Sequence, residues 1–293
     1  MDPVAATIAN ALVGNPPSSA TLEWGLGGGT LRFESDVVIA LSGASAEARI
    51  GTRASESYMS IVVHRGEELE VGRIGPGRFL YVAVAGGIDV PLVMGSRSTY
   101  LPGRFGGLEG RLLRSGDRLT IARPNSRPAG RAPSAPALKG DLTLPTALAP
   151  DYSRAMIRIT RGTHARLFRD AALATLLENE YTVSPASDRT GYRLDGAPIT
   201  DGPSTLPSEA GCPGVIQIPG DGKPIVLMAD APTVGGYPKL GVVSEIDLPV
   251  LAQRSPGERV RFNLISVEES QRLLRERLEA LHEIARLSAQ GYS

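Results

Sequence analysis

The stretch Phe79-Leu80-Tyr81-Val82-Ala83-Val84-Ala85-Gly86-Gly87-Ile88-Asp89-Val90-Pro91 decides the fold. Its first six residues are aromatic, β-branched or otherwise apolar, which reads as a buried strand. The double glycine, the aspartate and the proline then end it abruptly. The apolar run from Leu80 to Met94 is too short and too interrupted to cross a bilayer, which takes about 20 apolar residues.

The same reading repeats on both sides. Leu31-Arg32-Phe33, Val37 to Leu41, Ser60 to Val63, Leu69-Glu70-Val71 and Leu119-Thr120-Ile121 are short strand-like runs separated by glycine, proline and acidic turns. Such spacing predicts an all-β barrel or sandwich rather than a βαβ sheet. Gly25 to Gly29 lies between strands and reads as a tight turn. A helix is expected from Pro3 to Val13, with Asp2 as cap, Val4, Ile8 and Leu12 on one face, and Gly14 ending it.

Asn125 to Tyr152 carries five prolines in a Ser/Ala/Gly-rich background without period, the mark of a linker. A second block follows. Strands are expected at Met156 to Ile159, Tyr181 to Val183, Val215 to Ile218, Ile225 to Met228 and Val260 to Phe262. Between the first two, Thr163 is positioned to cap a helix running to Leu177, with Leu167, Phe168, Ala171 and Ala172 as its buried stripe. Val267 to Ala289 reads as a helix with a Leu274, Leu278, Leu281 stripe under Glu268, Arg272, Arg275 and Glu276. The expected division is a first barrel at 1–124, a linker at 125–152, a second barrel at 153–266 and a terminal helix at 267–290. Arg114-Ser115-Gly116-Asp117-Arg118-Leu119 and Arg254-Ser255-Pro256-Gly257-Glu258-Arg259-Val260 echo each other as an acid-bearing turn before a final strand, which favours two related barrels in tandem.

Composition narrows the function. Hydrophobic residues make up 42%, enough for a sizeable core, while zero formal net charge and 5% aromatics argue against a nucleic-acid groove. The single cysteine, Cys212, excludes an intrachain disulfide and suits a reducing cytoplasm. Met1-Asp2-Pro3 lacks the basic and apolar regions of a signal peptide, so a cytoplasmic protein is expected. Lysine occurs only as Lys139, Lys223 and Lys239 among 31 basic residues. No phosphate-loop pattern surrounds Lys239, no Gly-x-Ser-x-Gly elbow is present, and His64, His164 and His282 have no metal spacing.

What remains are four polar, glycine-rich segments: Gly86 to Tyr100, Gly103 to Gly110, Ser184 to Tyr192 and Asp230 to Lys239. Glycine lets a backbone approach a ligand closely, and Arg, Lys and Ser bind carboxylate or phosphate oxygens. Each segment has a plainer reading as well, with glycine serving turns and Asp or Ser bonding the local backbone.

These segments resemble the biotin-dependent carboxyltransferase, or allophanate hydrolase subunit 2, family. The resemblance rests on Val84-Ala85-Gly86-Gly87-Ile88-Asp89-Val90-Pro91, Met94 to Tyr100, Gly106-Gly107-Leu108-Glu109-Gly110-Arg111, Ser184 to Leu194, Pro224 to Asp230 and Gly235-Gly236-Tyr237-Pro238-Lys239. It implies tandem cyclophilin-like β-barrels. It implies an ATP-using, amide-hydrolysing complex, foremost a 5-oxoprolinase that converts 5-oxoproline to glutamate. The implied partners are a B-type subunit, related to allophanate hydrolase subunit 1 and to a sporulation-kinase inhibitor, and an A subunit. Family members begin with a strand ahead of a motif ending in Ala-Met-Asp. Met1-Asp2 stands where that motif ends, so the first barrel is expected to lack its first strand and to show an open edge.

Carried onto this chain, the resemblance makes Asp230, Lys239 and Asp188 the candidate catalytic residues. Arg97, Ser98, Thr99, Glu109, Arg189, Gly235, Gly236 and Tyr237 are the candidate substrate-binding residues, and no metal is expected. Arg189 or Arg97 would pair with a substrate carboxylate, Lys239 would neutralise a phosphorylated intermediate, and Asp230 or Asp188 would orient water or take a proton. Two other readings stay open: carboxyl transfer from biotin on a separate carrier, and a non-catalytic partner that binds a regulatory protein.

Overall fold

The computed structural model describes residues 1–25, 27–122, 143–145 and 149–291. Residues 123–142 and 146–148, which include most of the linker expected at 125–152, lie outside them. The chain divides into two compact units. One comprises Pro3–Pro150 with Glu279–Ser293, and the other comprises Met1–Asp2 with Asp151–Leu278.

The first unit opens with helix α1 (Pro3–Leu12) and continues through β1 (Leu22–Trp24), β2 (Thr30–Arg32), β3 (Val37–Gly43), β4 (Ala46–Ile50), β5 (Arg53–Ser55), β6 (Met59–Val63), β7 (Glu68–Ile74) and β8 (Leu80–Val84). They form two four-stranded sheets, ordered β1-β8-β3-β6 and β2-β7-β4-β5, with every pairing antiparallel. Ile39, Leu41, Ile61, Leu80 and Val82 of one sheet and Ala48, Ile50, Leu69 and Val71 of the other share a single apolar core. All seven residues of β3 are buried. The reason is cover on both faces: α1 packs against β3 and β8, and the Ser42 hydroxyl donates to the Ala5 carbonyl at 2.6 Å. Asn15 then ties the end of β8 to the Gly86-Gly87 turn, donating to Val84 O at 2.8 Å and accepting from Gly86 N at 2.8 Å.

The expected strand at Leu119-Thr120-Ile121 does not form. Ile121 makes only an isolated bridge to Ile88, because Gly86 and Gly87 at positive φ turn the chain just before it and Pro91 follows. The sheet edge at β6 carries its own bridge, Met59 with Thr143, and Leu144 N donates to Tyr58 O at 2.8 Å.

In the second unit β9 (Met156–Arg161), β10 (Tyr181–Val183), β11 (Gly191–Asp195), β13 (Val215–Gln217), β14 (Ile225–Leu227), β16 (Lys239–Val243) and β17 (Arg259–Leu264) close into a barrel, ordered β10-β11-β14-β13-β16-β9-β17. The β9 and β17 strands run parallel, and β17 then pairs with β10 to shut the ring. A separate ribbon pairs β12 (Glu209–Ala210) with β15 (Val234–Gly235). Ile157, Ile159, Tyr181, Tyr192 and Phe262 fill the interior and are at most 1% exposed. Each tyrosine hydroxyl keeps a partner: Tyr192 donates to Ala252 O at 2.8 Å and Tyr181 to Ala197 O at 3.2 Å, and burial pushes the Tyr181 phenol up to about 12.

The helix expected from Thr163 to Leu177 is shorter and starts later. Ala165–Leu167 is one 3-10 turn, Phe168 is extended at φ −97 and ψ 153, and α2 spans Asp170–Glu178. Its buried residues are Ala172, Leu173 and Leu176, while Leu167 is 54% exposed and Ala171 faces solvent. The break at Phe168 rotates the stripe, so the spacing of the expected face fails. The short α3 (Leu248–Ala252) follows Asp247, whose side chain is 1% exposed and lies 2.7 Å from Arg154 and 2.6 Å from Arg158. Asp2 is likewise buried, accepting from Tyr152 OH at 2.6 Å and Gln253 Nε2 at 2.9 Å.

Helix α4 (Val267–Gly291) ends the described chain, but its leucine stripe is not a buried face. Leu278 is 47% exposed, and the residues that reach burial along it are Ile284 and Ser288. Its outer surface carries ion-paired ladders, Glu269–Arg272 at 2.7 Å and Glu283–Arg286 at 2.6 Å. Among the described residues no helix is long and apolar enough to cross a membrane.

The turn seen twice in the sequence occurs three times in the fold. In His64-Arg65-Gly66-Glu67, Arg114-Ser115-Gly116-Asp117 and Ser255-Pro256-Gly257-Glu258 the glycine sits at φ 88 to 90, the third position of a type II turn. In each, the acidic fourth residue accepts from the backbone N–H of the first, at 2.7, 2.7 and 2.5 Å. Each acid also meets an arginine: Glu67 with Arg53, Asp117 with Arg111, Glu258 with Arg254. The echo is therefore a shared hydrogen-bond device, present in both units.

Candidate functional site

In the barrel unit the expected residues gather along one loop, Asp230 to Lys239. At its start Asp230 holds Arg189 in a two-pronged pair, Nε–Oδ2 at 2.8 Å and Nη2–Oδ1 at 3.2 Å, and Asp230 N donates to Arg189 O at 2.9 Å. The loop then runs alongside β12: Gly211 N donates to Thr233 O, Glu209 pairs with Gly235, and Leu206 N donates to Gly236 O at 2.8 Å. A Cβ at Gly236 would lie 2.7 Å from Leu206 O, so the close approach requires glycine. Tyr237 is 46% exposed. The loop ends at Lys239, the first residue of β16.

Lys239 is not a free surface cation. Its side chain is 5% exposed, and Nζ donates to Glu209 Oε1 at 2.5 Å and to the Ala210 carbonyl. His164 joins them. Its Nδ1 accepts from Lys239 N at 3.2 Å, so the neutral ring carries its proton on Nε2, 3.3 Å from Glu209 Oε1. Thr163 Oγ1 donates to the same oxygen at 3.4 Å, rather than serving the expected helix. The Lys239 ammonium, with the burial penalty working against it, holds the Glu209 carboxyl below its ordinary range. Ion pairs thus anchor both ends of one loop.

Asp188 plays a local part. Its Oδ1 accepts from Thr190 N at 2.8 Å and Gly191 N at 3.2 Å, an Asx turn leading into β11.

Arg97, Ser98, Thr99 and Glu109 belong to the first unit. Arg97 Nη1 donates to Val90 O at 2.8 Å. The Ser98 carbonyl and Thr99 hydroxyl are packed under the glycines of the next segment: a Cβ at Gly106 would stand 2.1 Å from Ser98 O, and one at Gly107 1.9 Å from Thr99 Oγ1. Glu109, at φ 55, accepts from Arg111 Nε at 2.9 Å, and Arg111 reaches Asp117 at 2.7 Å. These pairings drive Asp117 down to about 2, with the Arg111 hydrogen bond the largest cause.

Glu209 and His164 were not among the expected site residues. Glu209 falls in an aperiodic stretch and His164 follows a strand end, so neither has a motif. A cue existed in Lys239 itself, one of three lysines where arginine otherwise serves. Among the described residues no group of three or more His, Cys, Asp or Glu is placed to hold a metal ion.

The chain is 39% identical to the 5-oxoprolinase C subunit of Escherichia coli, over 92% of this chain and 83% of that one. It is 33% identical to the 5-oxoprolinase C subunit of Haemophilus influenzae, over 98% and 88%. The urea amidolyase of Lachancea kluyveri is 31% identical over 93% of this chain, which spans only 16% of that protein. The crystal structure of Kluyveromyces lactis urea carboxylase superposes with a TM-score of 0.87 at 29% identity, covering 97% of this chain and 26% of that one. The carboxyltransferase domain family, subdomain A and B, matches residues 1–264, and the chain belongs to it.

Proposed function

We propose that this chain is the C-type subunit of a 5-oxoprolinase, a complex that opens the ring amide of 5-oxoproline to glutamate at the expense of ATP. One observation carries the reading. Relatives of that name match along 83% and 88% of their own length, whereas the urea enzymes match only through a small piece. The ring amide is resonance-stabilised, so ATP activates its carbonyl before water attacks. The sequence has no phosphate-loop pattern, and the proposal places no step with ATP on this chain. The partners are a B-type subunit and an A subunit.

Within the reading, the Asp230 to Lys239 loop is the substrate-facing element. Arg189 meets the substrate carboxylate with its guanidinium already oriented by Asp230. Lys239, buried behind Glu209, acts through that carboxylate rather than on the substrate directly.

Carboxyl transfer from biotin is the second reading, favoured by the superposition on urea carboxylase. Biotin would then arrive on a separate carrier; among the described lysines Lys223 pairs with Asp195 at 2.9 Å and Lys239 is buried. The test is co-expression with the B-type and A subunits, followed by an assay of ATP-dependent glutamate release from 5-oxoproline. Release from a biotin-free complex supports the first reading. A complex that carries biotin and carboxylates an amide supports the second, and one that cleaves no amide with ATP excludes the first.

A further inference from the structure

We propose that Gln217, Gly235 and Glu209 form a seat for the amide group of a small substrate, with Gln217 binding the amide and Glu209 Oε2 accepting the proton of the attacking water. The inference rests on the amide-opening reading above and adds residues to it.

The argument starts from Gln217. It ends β13, is 6% exposed, and its side-chain amide makes no hydrogen bond among the described residues. Both amide atoms retain solvent access, which leaves them open to a ligand. The ladder is irregular at this point: the register between β13 and β16 shifts between Ile216 and Gln217, and Gln217 stands opposite Lys239. Bulges of this kind re-aim side chains and gather next to active sites. The ligand implied is itself an amide, since a primary carboxamide offers both a donor and an acceptor to match one.

Space comes from Gly235. A Cβ there would lie 3.2 Å from Gln217 Nε2. Gly235 is also the cross-strand partner of Glu209, so no side chain stands beside the Glu209 stem on the ribbon. One glycine therefore borders both polar groups.

Glu209 is built like a positioned base. Lys239 Nζ, His164 Nε2 and Thr163 Oγ1 all converge on Oε1. Oε2 accepts no hydrogen bond among the described residues, and the side chain is 42% exposed. The cation is buried behind and the anion faces outward. The carboxylate is thereby fixed by one oxygen and available at the other, as a general base requires. In the step proposed, an O–H bond of water breaks, its oxygen bonds to the activated carbonyl carbon, and the proton passes to Oε2. As the ring C–N bond breaks, the departing nitrogen takes that proton and the carboxylate is restored; the attacking oxygen becomes the carbonyl of an acyl phosphate, its second proton passing to the amine, and a second water hydrolyses the acyl phosphate to the glutamate carboxylate and inorganic phosphate.

The experiment uses the assembled complex with 5-oxoproline and ATP. Glu209→Gln keeps an acceptor for Lys239 and should lower kcat roughly 100-fold or more, with loss of the acid limb of the pH–rate profile. Gln217→Leu should raise KM about tenfold, the worth of one hydrogen bond, and Gly235→Ala should raise KM by filling the seat. Should Glu209→Gln fail to assemble, Gln217→Leu and Gly235→Ala decide alone, because both leave the Lys239 and Glu209 side chains unchanged. Wild-type kinetics in those two overturn the seat, and wild-type kcat in a folded Glu209→Gln complex overturns the base. A wild-type complex that releases no glutamate overturns the amide-opening reading itself, and the seat with it.

Discussion

In the barrel unit seven strands close on themselves through the parallel pairing of β9 with β17, whereas the described strands of the first unit form two four-stranded sheets that do not close. The barrel has a strand before its first helix to insert between β16 and β17. In the first unit α1 covers β3 and β8, and one sheet edge, β6, is capped by the Met59–Thr143 bridge. The loops differ as well. Those of the barrel are held by charged side chains, Arg189 with Asp230 and Lys239 with Glu209. The 95–110 segment of the first unit is held mainly by backbone passing over glycine. The barrel's loops are thus fixed by charges that can also meet a ligand, while those of the first unit are fixed by close backbone packing.

Breaking the barrel should take one buried charge. Asp247→Ala removes the buried carboxylate that the part-buried Arg158 pairs with and that Arg158 N donates to, and should cost about 2–3 kcal/mol, read as a lower urea midpoint for the barrel transition. Breaking the first unit's loop should take one methyl. Gly106→Ala sets a Cβ against the Ser98 carbonyl at φ 73 and should cost about 1–3 kcal/mol in a thermal melt. If it is silent, the contrast between charge-held and glycine-held loops is wrong.

A smaller effect sharpens the comparison through pH. Asp117 titrates at about 2, below the ordinary 3.8, so what its ionised form contributes is present above about pH 4. It is lost as pH falls through 2. Hydrogen exchange at Arg114 N–H, which donates to Asp117, should accelerate over that window, and Asp117→Asn should abolish the dependence. Smallest of all, Leu278→Ser on the exposed side of α4 should change stability by no more than about 0.5 kcal/mol.

Much of the architecture was legible because burial writes itself as β-branched runs: β3, β8, β9 and β17 stand where Val37-Val38-Ile39, Phe79 to Val84, Met156 to Ile159 and Val260 to Phe262 place them. No strand is expected at β11 or β16, whose first residues fall in the polar segments Ser184 to Tyr192 and Asp230 to Lys239, although Tyr192, Leu194, Leu240 and Val243 are buried. Whether strands close is a matter of long-range pairing, which no local pattern records. The site was legible by half. The Asp230 to Lys239 loop stands out by its glycines. Glu209 and His164 enter only through contacts with Lys239, 30 and 75 residues away in sequence, and Gln217 enters through a bulge.

The Asp2 carboxylate has a consequence for the order of events on the ribosome. Its partner Gln253 lies 251 residues later. At roughly 5–20 residues per second, Asp2 waits roughly ten to fifty seconds for the amide that will bind it. During that time the α1 segment directly behind it can already be packing with its own strands. Translation therefore delivers α1 and the eight strands of the first unit early and withholds this lock of the barrel until Gln253, just past α3, has been made.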